Sequence, residues 1–129
     1  MNLEEHEMSF SVREINIGQY VAVEHEGQLT LKEFEDARVA AKRLLKDNRW
    51  SRLLIDVRSA THRVPIAEVF FIMKSLSEVF PGTKIALIFP PDRSDEGEFA
   101  ETVASNRGVR LKSFSNYEQA VAWLTANPA

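Results

Sequence analysis

Hydrophobic positions change period several times along the chain, and each change predicts an element. Leu53, Leu54, Ile55 and Val57 form a nearly continuous apolar run, the pattern of a strand covered on both faces of a sheet. A polar loop, Ser59 to Val64, leads to Pro65, whose fixed φ and missing N–H suit a first helical turn. Ile66, Val69, Phe70, Met73, Leu76 and Phe80 then recur at threes and fours, which puts them on one side of a helix lying on that strand.

The same reading extends in both directions. Ser9 to Ile15 and Tyr20 to Glu26 alternate as two strands around a turn at Asn16 to Gln19, an N-terminal hairpin. A parity change between Val12 and Ile15 predicts a bulge in the first strand. Thr30 and Glu33 make a capping box for a helix buried through Phe34, Ala37, Ala41, Leu44 and Leu45, ending near Asn48, with Trp50 sealing a core edge. Past Pro81-Gly82, Lys84 to Phe89 reads as a second buried parallel strand. A rigid Pro90-Pro91-Asp92-Arg93 loop precedes an acidic helix capped at Ser94 or Asp95 and buried through Phe99 and Val103. Val109 to Phe114 alternates apolar and basic residues as an edge strand would, and Ser115 with Glu118 predicts a capping box for a last helix from Tyr117 to Ala126. The expected architecture is α/β: one mixed sheet of about five strands, the hairpin plus parallel strands, flanked by about four helices.

Composition narrows this further. At 129 residues and 44% hydrophobic content the chain matches one domain, 1–129, with an adequate core; residues 1–7, acidic and poor in apolar side chains, are expected to be loose. Sixteen basic against 19 acidic residues give a net charge of −3, without the overall basic footprint of a nucleic-acid binder. No cysteine is present, which removes thiolate chemistry and disulfides. The longest apolar run, Val69 to Met73, is too short to enter a bilayer as a span, and a cytoplasmic location is expected.

Two loops follow the carboxyl ends of buried strands, where α/β proteins gather ligands. Asp56, Arg58, Ser59, Thr61, His62 and Arg63 lie in the first and Arg93 in the second, a candidate pocket for a phosphate or carboxylate. Asp56, Ser59 and His62 contain the residue types of a hydrolytic triad, but Ser59 stands between Arg58 and Ala60 where a nucleophile elbow requires glycines. His6, His25 and His62 lack metal-ligand spacing. No catalytic residue, metal site or cofactor motif is predicted. Phe71 falls nearly opposite the stripe of its helix, beside Lys74, a candidate contact for a protein partner or a second copy.

The element order, the Leu-Leu-Ile-Asp-Val-Arg strand from Leu53 leading through a loop into a long apolar helix, and the ending Gly108-Val109-Arg110-Leu111-Lys112-Ser113-Phe114 to Leu124 together resemble the STAS-like superfamily. Within it the chain is most similar to small SpoIIAA-like bacterial proteins, over Met8 to Leu124. The resemblance implies a non-enzymatic domain that binds a protein partner through Asp56 to Phe80. CRAL-TRIO domains, similar in fold, carry lipids, which makes a small anionic or lipid-like ligand the alternative. Anti-sigma-factor antagonists of the superfamily are switched by phosphorylation of a serine at the start of the helix after the central strand. Here Val64-Pro65-Ile66-Ala67 stands where that family reads Asp-Ser-Ser-Gly, so the phosphoacceptor position holds proline, and Ser59 and Thr61 are the nearest hydroxyls.

Overall fold

The computed structural model describes residues 9–61 and 65–126. Five strands, β1 (Phe10–Ile15), β2 (Tyr20–Gly27), β3 (Arg52–Ala60), β4 (Lys84–Ile88) and β5 (Arg110–Phe114), lie in the order β1-β2-β3-β4-β5. β1 is antiparallel to β2, and β2 through β5 are parallel. The Leu53 to Val57 run is therefore the middle strand, and its continuous apolarity follows from being covered on both sides.

Four helices complete the fold: α1 (Leu31–Asn48), α2 (Ile66–Val79), α3 (Ser94–Asn106) and α4 (Tyr117–Thr125). Buried residues of α1, α2 and α3 share one core with Val21, Leu53, Ile55, Val57 and Leu87. Ala120 and Leu124 of α4 pack on Tyr20, Ala22, Leu54, Ala86 and Ile88 on the opposite face. Period-2 alternation in the strands divides the two cores. The α1 start is as expected: the Thr30 side chain accepts from Glu33 N–H and the Glu33 carboxylate reaches back to the Thr30 N–H. Asn48 is the last helical residue, and Arg49 closes the helix in the left-handed region at φ 59°. Half-buried Trp50 packs against the larger core.

Several expectations are corrected. The β1–β2 register is continuous; the slip lies between β2 and β3, where His25 alone faces both Val57 and Arg58. The extra residue in β3 lets both Val57 and Ala60 reach the same core, since a bulge reverses the alternation beyond it. The cap of α4 is Asn116, whose side chain accepts from Gln119 N–H, in place of Ser115 with Glu118. No side-chain cap opens α3, which continues from a 3₁₀ turn at Pro91–Arg93. Phe70 is not buried in the α2 stripe: it is 45% exposed and stands edge-on to Phe99 at 5.9 Å. No helix among the described residues is long and apolar enough to cross a membrane.

Candidate functional site

α2 is apolar nearly all round and has no side-chain N-cap bond. At its start the Pro65 carbonyl accepts from the Glu68 and Val69 N–H groups. Its backbone approaches α3 and α1 more closely than it approaches the sheet, so its side chains bridge a wider gap than those of α1 or α4. Beneath it lies a cavity of about 460 Å³. The floor is Ile55, Val57, Leu87 and Leu111 of the sheet, the roof is Val69, Ile72 and Met73 of α2, and Phe99 and Ala100 of α3 form one wall. Pro65 lines the cavity too, and Arg93, Asp95 and Glu96 are its charged lining. The sequence places every floor residue on a buried or an edge strand, because periodicity tells which way a side chain points and nothing about whether the opposite surface reaches it.

Among the described residues, those proposed for an anion do not converge. Asp56 is buried on the α4 face, and Arg58 folds back onto it: Nε donates to Oδ1 at 3.0 Å, Nη2 to Oδ2 at 2.8 Å and the backbone N–H to Oδ1 at 3.0 Å. The guanidinium also sits 5.9 Å from the Tyr117 ring. The side-chain hydrogen bonds donated to Asp56 raise the Arg58 pKa above its usual value. Arg93 lines the cavity on the other face of the sheet. Its Nη2 donates to the carbonyls of Ala60 at 2.7 Å and Val57 at 3.3 Å, and its Nε lies 4.0 Å from Glu96 Oε2. A fork–fork pair and a two-carbonyl brace fix the two guanidinium groups on opposite faces of the sheet, where they cannot grip one anion together.

Ser59 and Thr61 are exposed; Ser59 pairs across the sheet with Glu26, and the Thr61 N–H donates to Gly27 O at 2.8 Å. His62 and Arg63 lie outside the described residues. Behind Arg58 the hydroxyls of Tyr20 and Tyr117 meet at 3.2 Å, and burial, with the Tyr117 hydrogen bond, pushes Tyr20 up to about 12.

The α2 surface carries the second candidate. Phe71 is 70% exposed and, with exposed Lys74, borders an open groove between α1 and α2 that also takes in Leu31, Phe34, Glu35, Arg38 and Glu78. Phe34 lines this groove and the cavity alike. No group of three or more His, Cys, Asp or Glu among the described residues could hold a metal ion.

Comparison with known proteins places the fold. No family model matches the chain, and no curated protein does. Among solved structures, the chain is similar to an uncharacterized protein of the DUF3478 family from Shewanella loihica PV-4 with a SpoIIAA-like fold. The match has a TM-score of 0.62 and 16% sequence identity, and covers 89% of this chain and 91% of that one. The five-stranded mixed sheet with four helices is thus a SpoIIAA-like α/β fold.

Proposed function

We propose that the protein is a non-enzymatic binding module whose ligand is a small, largely apolar molecule held under α2. The observation that carries this reading is the cavity of about 460 Å³ with aliphatic and aromatic walls, within the roughly 300–1,000 Å³ typical of ligand pockets. A cavity that large in a domain of this size forfeits dispersion contacts along its whole lining, and an apolar occupant restores them. The polar end of the ligand faces Arg93, Asp95 and Glu96. The standing-off of α2 supports the reading as well, because a helix held mainly by other helices can shift to admit a ligand without breaking sheet pairing.

The test is a thermal-shift and native mass-spectrometry screen with fatty alcohols, fatty acids and phospholipids, run on wild type and on Ala100→Leu. Ala100 is buried on the cavity wall. In a filled core the larger side chain would cost about 1–3 kcal/mol by overpacking; here it is expected to leave stability unchanged or raise it by about 1 kcal/mol. The same variant should lose most of the ligand-induced stabilisation, which at a hundredfold excess over Kd amounts to about 2.7 kcal/mol. No stabilisation by any lipid, together with a destabilised Ala100→Leu, would remove the proposal.

Exposed Phe71 favours a second reading, self-association through the α1–α2 groove. Glu35 and Arg38 on one side and Lys74 and Glu78 on the other give a rim of mixed sign that a copy rotated by a two-fold axis can match. Phe71→Asp is then expected to shift a dimer to monomer in light scattering, and a wild type that stays monomeric at high concentration excludes it.

A further inference from the structure

A row of three basic residues lies at the amino end of the parallel strands, on the α4 face and far from the loops where an anion was expected. Arg52 of β3 is in register with Lys84 of β4, and Lys84 with Arg110 of β5. Alternation puts all three on one face: Leu54 and Ala86, two residues along, belong to the α4 core, while Leu111, one residue along, faces the other way. Strand spacing sets their Cα atoms roughly 5 Å apart.

The row is built into the fold. Lys84 is only 4% exposed, its Nζ donates to Trp123 O at 2.6 Å and lies 4.5 Å over the Trp123 ring. Arg52 Nη1 donates to Gly18 O at 2.8 Å. Gly18 itself, at φ 97°, is pressed so closely on α4 that a Cβ would meet Thr125 Cγ2 at 2.9 Å. These carbonyls orient two of the cations and neutralise neither. None of the three forms an ion pair among the described residues, and exposed Arg110 has no hydrogen-bond partner there. The Lys84 pKa is lowered first by burial and then by Arg110 and Arg52.

One cation would suffice to complement the carbonyl end of α4; three in adjacent strands repel one another. We infer that the Arg52–Lys84–Arg110 row is a binding site for a phosphate-type dianion, either free or as an exposed headgroup. Such a group offers three acceptor oxygens to donors fanned along about 10 Å of sheet, with Arg110 closing over it through its planar fork. The site is separate from the cavity, on the other side of the sheet, so its test is independent of the ligand proposed there.

The probe is inorganic phosphate, titrated against sodium chloride of matched ionic strength. Wild type is expected to show a saturable rise in Tm beyond that of chloride, and a shift in the Trp123 indole N–H resonance that the other tryptophan, Trp50, does not share. Arg110→Gln, at an exposed edge position that leaves the fold intact, should weaken phosphate binding roughly tenfold, the loss of about 1.4 kcal/mol expected for a charge-assisted hydrogen bond. Arg43→Gln on exposed α1 makes the same change in net charge and should leave binding unaltered. A second arm floats the protein with phosphatidylcholine vesicles with and without phosphatidic acid. Flotation that depends on phosphatidic acid and on Arg110 identifies a headgroup as the source; phosphate binding without flotation identifies a free phosphate. Equal effects of phosphate and chloride with no Arg110-dependent flotation, or equal losses in the two variants, overturn the site.

Discussion

Acidification from pH 7.5 to pH 4 is expected to remove roughly 3 kcal/mol of folding stability through one side chain, His25. Its ring is 1% exposed and is packed between Phe10, at 6.0 Å, and Phe34, at 4.9 Å. Nδ1 has no hydrogen-bond partner among the described residues. Burial lowers its pKa from 6.5 to about 4, opposed only in part by the Glu33 carboxylate, which Ser9 engages through its hydroxyl. The imidazole is thus neutral in the folded state and takes up its proton more readily when unfolded. Stability from this group is complete above pH 6.5 and falls as the pH drops through the interval to about 4, with about 2 kcal/mol already lost at pH 5. Urea midpoints across that range should shift steeply in wild type and much less in His25→Leu, where an apolar side chain fills the same site. Parallel curves for the two proteins, or an NMR titration of His25 near 6.5, would contradict the burial. Since Phe34 lies against His25 and also lines the cavity and the α1–α2 groove, the same titration should loosen both surfaces in acid.

Legibility in the sequence followed the range of the signal. The order of elements, the Thr30–Glu33 cap and the central position of β3 rest on neighbours three or four residues apart, or on one uninterrupted apolar run, and these appear in the structure as read. The sequence puts Arg58 and Arg93 in two strand-end loops facing a single pocket; β3 instead runs through Arg58 to Ala60, and side-chain direction separates the two, since Asp56 draws Arg58 to the α4 face while Arg93 turns under β3. The apolar run at Leu53 to Val57 had erased the alternation that would have revealed this. The helical wheel misplaces Phe70 because it assumes that a helix presses its whole stripe onto the sheet, and α2 does not. The cavity and the basic row left no local trace. One is a difference between the surfaces of three helices and a sheet, and the other exists only once the register of three strands is known.

Two leucines on opposite faces of the sheet offer the strongest check on the cavity itself. Leu54 of β3 is fully buried under α4 with Ala86, Ile88, Ala120 and Leu124 around it, on the face of the sheet away from the cavity. Leu87 of the neighbouring strand β4 is also buried but forms part of the floor beneath α2. Truncation to alanine removes the same atoms from each, so the transfer contribution is common to both, and the difference measures how many contacts surrounded those atoms. Leu54→Ala is expected to cost about 4 kcal/mol, near the upper part of the range for such changes, because a closely packed wall leaves a new void that cannot collapse. Leu87→Ala should cost about 2 kcal/mol, since part of its side chain already faces empty volume. Urea denaturation of the two variants reads the difference directly, and adding a lipid found in the ligand screen should narrow it, because an occupant restores contacts that Leu87 then loses on truncation and that Leu54 never makes. Equal costs without lipid would mean that the space under α2 is filled in solution, and the apolar ligand would then have no place to bind.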